Sequence, residues 1–162
     1  MKTAIVYYSM GGNTEFAARQ LANMTGADLI RIEPEKPYPS KGVFKFIFGG
    51  KSAVSGETPK LKSYPFDADR YDRVVIATPV WASSPVPPVR TFIKENRSAL
   101  ASKRIAALVC FSGGGAAGTL EKLRALLDVS AFEAECILVD PKDKPSAHKI
   151  EQIRAFADLL NG

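Results

Sequence analysis

The sequence predicts a three-layer α/β/α domain on a doubly wound parallel sheet of five strands. Two observations carry this. Five short apolar runs have β character, and stretches of helical periodicity alternate with them. A third is size: 162 residues suit one compact domain, so residues 1–162 read as a single unit.

The elements follow in order. Residues 2–8 form an apolar first strand, buried on both faces. Asn13 or Thr14 is placed to cap a helix carrying Phe16, Ala17, Leu21, Ala22 and Met24, which Gly26 ends. Residues 28–32 are a second strand. Residues 33–70 are the least regular, rich in Pro, Gly, Ser and Lys, with a short helix expected near residues 41–52. Residues 73–78 are the third strand. A helix opens at Val89 after Pro85, Pro87 and Pro88, because proline in a first helical turn removes no intrahelical bond. Residues 104–111 are the fourth strand and 119–127 a helix with Leu120, Leu123, Leu126 and Leu127 on its apolar side. Residues 132–139 are the fifth strand. Residues 146–160 close the chain as an amphipathic helix turning Ile150, Ile153, Phe156, Ala157 and Leu160 inward.

Composition narrows the function classes. The apolar runs are too short to span a bilayer. Met1-Lys2-Thr3 leads straight into a strand, with no cleavable signal, so a cytoplasmic protein is expected. Cys110 and Cys136 sit in apolar segments away from other ligands, which reads as two buried thiols rather than a metal centre. The net charge of +5 is local. Residues 36–62 hold Lys36, Lys41, Lys45, Lys51, Lys60 and Lys62 against one acid, Glu57. Phe44, Phe46 and Phe48 interleave with Lys45 but read as core-packing residues. Without a reading element beside the charge, nucleic-acid binding is not expected.

In a doubly wound sheet, ligands sit beyond the carboxyl ends of the strands, where strand order reverses. Three loops reach that end. The first runs Tyr8-Ser9-Met10-Gly11-Gly12-Asn13-Thr14 and opens a helix. A helix N-terminus offers unpaired N–H groups and partial positive charge to a phosphate. Gly11 and Gly12 let the backbone close on an anion, and Ser9, Asn13 and Thr14 add side-chain donors. The loop has no lysine, which excludes a triphosphate P-loop, and no GxGxxG spacing. The second loop is Thr78-Pro79-Val80-Trp81-Ala82-Ser83-Ser84-Pro85. It places the chain's single tryptophan where it can flank a planar ring. The third runs from Ser112 through Gly113, Gly114 and Gly115 to Gly118, with backbone amides free to approach a flat ligand.

These motifs together resemble the flavodoxin family. The loop from Tyr8 to Thr14 is similar to its FMN-phosphate motif. Thr78-Pro79-Val80-Trp81 with Pro85-Val86-Pro87-Pro88 is similar to its first ring loop, and the glycines from Ser112 to its second. The resemblance implies sheet order 2-1-3-4-5 and noncovalent FMN held by Ser9, Met10, Gly11, Gly12, Asn13, Thr14, Thr78, Pro79, Val80, Trp81, Ala82, Ser112, Gly113, Gly114, Gly115 and Gly118. No protein side chain is assigned a catalytic or metal-binding role. Three departures stand out. Gly11 replaces a hydroxyl residue. Ala82 replaces the glycine whose peptide flips in the family's semiquinone, and a Cβ there costs roughly 1–2 kcal/mol in left-handed geometry. The chain is basic where electron-shuttling flavodoxins are acidic.

The expected function is therefore electron transfer through FMN to a redox partner protein or a small acceptor such as a quinone. The alternative is a small FMN-dependent NAD(P)H:quinone-type oxidoreductase, its cosubstrate guided by the lysines at 41–62. A flavin-free binding domain on this fold is a third reading. A phosphoacceptor domain would need acids after strands one and three, where Tyr8-Ser9 and Thr78-Pro79 stand. His148 reads as an exposed helix residue.

Overall fold

The computed structural model describes residues 1–39 and 55–162. The helix expected near residues 41–52 and the packing of Phe44, Phe46 and Phe48 lie outside the described residues. The elements are β1 (Thr3–Tyr7), α1 (Asn13–Thr25), β2 (Asp28–Arg31), a 3-10 turn (Ala68–Arg70), β3 (Arg73–Trp81), β4 (Ser84–Pro85), α2 (Pro87–Glu95), α3 (Arg97–Leu100), β5 (Arg104–Phe111), α4 (Ala116–Leu127), β6 (Glu135–Val139) and α5 (Ala147–Asn161).

The sheet order is β2-β1-β3-β5-β6, and each of these neighbours is parallel. Setting aside the two-residue β4, this is the expected 2-1-3-4-5. Side chains alternate between the two faces, so consecutive strand residues feed different cores. Val6, Val74 and Ile76 meet Phe92 of α2 and Leu123 of α4 on one face. Ile5, Val75 and Leu108 meet Leu21 of α1 and Ile153 and Phe156 of α5 on the other. Full burial of each such side chain contributes about 1.5–3 kcal/mol. Cys110 and Cys136 are both buried and unbridged, as the sequence suggested, and His148 is exposed. No helix among the described residues is long and apolar enough to cross a membrane.

Four local expectations change. The segment 78–85 is not an open loop. β3 continues to Trp81, and β4 folds back antiparallel with Val80 opposite Pro85 and Trp81 opposite Ser84. Proline is tolerated there because the short β4 lies off the main strand path and needs no donor beyond it. Second, the N-cap of α1 is Gly12 at φ 93°, not Asn13 or Thr14. Third, α4 begins at Ala116, so Gly118 lies inside a helix; α2 likewise begins at Pro87, ahead of Val89. Fourth, β6 begins at Glu135 rather than 132, although Glu133 N–H already donates to Ile105 O (2.8 Å).

At the amino end of the sheet Arg73 is 3% exposed. Its guanidinium donates to Glu133 at 2.7 and 2.6 Å and to Leu160 O at 2.6 Å. The pair thus ties β3 to the approach of β6 and to the end of α5. Removing one partner of a buried ion pair leaves the other charge uncompensated. Glu133→Ala is expected to destabilise the fold by about 3–5 kcal/mol, measured as the shift in urea unfolding midpoint.

Candidate functional site

The chain winds in opposite directions from β1 and β3, so the loops after these strands part and leave a crevice. A cavity of about 490 Å³ occupies it, lined by residues 9–11, 13–14, 79–83 and 110–114 and by Asp140. This volume lies within the range of small-molecule and cofactor sites, about 300–1,000 Å³.

The first wall is the start of α1. Ser9 Oγ accepts the Gly12 N–H at 3.1 Å and so closes the loop before the helix. No side chain among the described residues caps α1, so its first-turn amides lack an acceptor supplied by a cap. Thr14 is 1% exposed, and its Oγ1 is buried with no hydrogen-bond partner among the described residues. Burial pushes the neighbouring Cys110 thiol up to about 12. The adjacent Thr14 hydroxyl works against that rise. Glu15 in the first turn would oppose an anion, but Arg19 (2.8 Å) and Arg31 (2.7 Å) neutralise it. The Arg19 hydrogen bond in particular holds the Glu15 carboxyl below its ordinary value, against its partial burial.

Asn13 plays a different part from the expected one. Its Oδ1 accepts the amides of Lys142 (2.8 Å) and Asp143 (3.1 Å), and its Nδ2 donates to Asp143 Oδ2 (2.8 Å). The side chain therefore clasps the loop after β6 rather than presenting a free donor. That clasp brings Lys142 Nζ to 3.1 Å from Gly11 O. Gly12 does not line the cavity; a Cβ on it would meet Lys142 Nζ at 3.0 Å.

The second wall is the β3–β4 hairpin. Its two-residue tip, Ala82 (φ 48°) and Ser83 (φ 53°), is left-handed at both positions. This matches the twist of a tight hairpin but normally calls for Asn or Gly. The left-handed conformation that the sequence made costly at Ala82 is already present. Thr78 does not line the cavity. Its Oγ1 donates to Pro79 O (2.8 Å) and accepts the Val86 amide (3.3 Å), pinning the hairpin base. Trp81 is braced edge-on by Tyr8 (5.9 Å between ring centres) and Tyr38 (5.1 Å).

The third wall is residues 110–114. Gly113 and Gly114 border the cavity, and a Cβ on either would meet nothing within 4 Å. Gly115 and Gly118 face elsewhere: a Cβ on Gly115 would lie 2.9 Å from Ser83 Cα, and one on Gly118 3.4 Å from Ser83 Cβ. These two glycines seat the hairpin tip on α4. Ser112 Oγ donates to Asp140 Oδ1 (2.5 Å), and Lys144 pairs with Asp140 Oδ2 (2.9 Å). Together the Ser112 bond and the Lys144 charge hold the Asp140 carboxyl below its ordinary value.

Twelve of the sixteen expected residues thus border one cavity, and Gly12, Thr78, Gly115 and Gly118 shape it from outside. Ser83, Cys110, Phe111 and Asp140 border it without having been expected. The signal for Asp140 was its place at the carboxyl end of the last strand. Of the basic segment, Lys60 pairs with Glu35 (2.9 Å) and Lys62 with Glu33 (3.3 Å), which leaves less charge there than the sequence implies.

Gly115→Ala is expected to lower stability by more than about 1–2 kcal/mol, combining left-handed strain with the clash at Ser83. Gly114→Ala is expected to leave it unchanged. Thermal melting of the two variants checks the contrast.

The sequence matches the flavodoxin family model over residues 2–144. No curated protein matches it. Among solved structures, one from Bacteroides eggerthii DSM 20697, provisionally called a flavoprotein, aligns with a TM-score of 0.77 at 22% identity, covering 99% of this chain and 98% of that one. A Lactobacillus acidophilus NCFM flavoprotein, solved in complex with FMN, aligns at 0.72 and 18% identity over 88% and 95%. Two-electron reduced Megasphaera elsdenii flavodoxin aligns at 0.56 and 16% over 97% and 99%. These identities speak to the fold, and the family model to descent: the chain belongs to the flavodoxin family.

Proposed function

We propose that this protein binds FMN noncovalently in the crevice and transfers electrons through it. The carrying observation is the Thr14 hydroxyl, buried and without a hydrogen-bond partner among the described residues, beside a helix start that none of their side chains caps. A phosphate there would give Thr14 an acceptor and the first-turn amides an anion. The rest of the cavity suits a flat ring: Gly113 and Gly114 allow backbone approach on one side, and Trp81 stands in the hairpin on the other.

When bound, the flavin supplies the redox chemistry. The residues of the chain hold and orient it. Thr14 and the first turn of α1 fix the phosphate. Asn13 positions the loop that carries Lys142, whose ammonium adds a cation beside Gly11. The hairpin, with Trp81 braced edge-on by Tyr8 and Tyr38, would cover one side of the ring. Asp140, accepting the Ser112 hydroxyl and paired with Lys144, would fix the cavity wall at the end of β6. Transfer to a partner protein fits this arrangement. Direct hydride transfer from NAD(P)H has less support, because Lys60 and Lys62, two of the lysines expected to guide that cosubstrate, are paired.

Heat-released chromophore from the purified protein is expected to be FMN by mass. The loaded protein is expected to accept electrons from reduced methyl viologen but not from NADH or NADPH. Rapid bleaching by either nucleotide would replace the carrier with an oxidoreductase, and absence of bound or bindable FMN would remove both readings.

A further inference from the structure

A second cavity of about 630 Å³ opens between α2 and α4, and it shares no residue with the first. Its apolar wall is Ile93, Ala125 and Leu126. Four cations, Arg90, Lys94, Arg97 and Lys122, stand around that wall, and no acid lines it among the described residues. The acids nearby sit outside the lining. Asp128 lies 3.9 Å from Arg97, with both side chains largely exposed, and Glu57 is a chain neighbour of the lining residues Gly56 and Thr58.

Like charges gathered around a concavity raise the local potential and concentrate anions there. The apolar wall adds a preference for a ligand with a hydrophobic or aromatic body. The cleft's volume is of small-molecule size, which favours such a ligand over the broad, flat contact of a protein partner.

One of the four cations also reaches the first site. Lys122 Nζ donates to Ser84 Oγ at 2.7 Å, and Ser84 Oγ donates to Ala82 O at 3.3 Å. Ala82 is half of the left-handed hairpin tip. An anion that draws Lys122 away from Ser84 would loosen one of the contacts holding that tip.

We propose that the α2–α4 cleft binds a phosphorylated organic anion with the chemistry of a nucleoside phosphate, its charge among Lys94, Arg97 and Lys122 and its body on Ile93, Ala125 and Leu126. Binding in the cleft stands apart from the flavin reading, because the two cavities have no lining residue in common, whereas the coupling through Lys122 rests on that reading. Lys122 is the link through which occupancy of the cleft is felt at the flavin cavity.

Calorimetric titration of the protein as purified with adenosine 2′,5′-bisphosphate, at low and moderate salt, is the test. Saturable one-site binding is expected, weakened by at least about tenfold, roughly 1.4 kcal/mol, in the double variant Lys94→Ala/Arg97→Ala. Arg154→Ala on α5 is expected to bind as the parent does, and adenosine alone not to bind. Both changed residues are exposed, so the double variant is expected to melt with the parent, and thermal melting verifies that. Ser84→Ala, which removes the acceptor of Lys122 outside the cleft, is expected to bind the bisphosphate as the parent does but to abolish the change that the bisphosphate induces in the visible flavin spectrum. No saturable heat, equal affinity in the double variant, or binding of a glutamate-rich peptide in place of the bisphosphate would each overturn the proposal, the last in favour of an acidic protein partner.

Discussion

The reversal of winding between β1 and β3 is the constraint on which the site depends. A parallel sheet needs crossovers, and right-handed crossovers on opposite faces pull the two loops apart. The crevice follows from strand order before any residue in it is specified. What the sequence adds is the means of holding its walls in place. Arg31, at the end of β2, donates to Ser9 O (3.3 Å) while engaging Glu15 and Glu33. Asn13 ties the loop after β1 to the loop after β6. Ser112 ties the loop after β5 to Asp140 at the end of β6. Each tie crosses between crossovers that are distant in sequence, so no wall is anchored by its own element alone.

The hairpin tip is where local preference and tertiary structure disagree. Alanine and serine in consecutive left-handed positions cost on the order of 1–2 kcal/mol each. Such strain persists only when its surroundings over-determine it. Here the surroundings are identifiable: Gly115 and Gly118 admit Ser83 onto α4, Lys122 holds Ser84, and Thr78 fixes the base of the hairpin. The tip borders the cavity, which sets the strained peptide against the proposed flavin site. This also places the strain of the fold close to its proposed chemistry.

The strands and both cores were legible because apolar runs and 3.6-residue periodicity state them locally, and the strand order because the loop motifs resemble those of the flavodoxin family. The three loops were legible because any doubly wound sheet directs them to one end. Roles within the loops were not. Asn13 looks like a phosphate donor until Lys142 and Asp143, some 130 positions away, occupy its side chain. Gly115 and Gly118 look like ligand-facing glycines until Ser83 is found against them. The hairpin hid behind Ala82-Ser83 because its left-handed tip lacks the Asn-Gly signature that marks such turns. Asp140 was overlooked for a related reason: its partner Ser112 sits 28 positions away on another strand end. Long-range contacts reassigned these residues, and no local pattern contains them.

The central claim is that the start of α1 receives the FMN phosphate while the hairpin and Gly113-Gly114 receive the ring. Amide NMR shifts of the flavin-stripped protein, titrated in parallel with FMN and with riboflavin, test it most directly. The account predicts that FMN moves the amides of Asn13, Thr14 and Glu15 together with those of Ala82, Gly113 and Gly114. Riboflavin, which lacks the phosphate, should move only the second group. Identical shifts with both ligands, or none at residues 13–15, would contradict it.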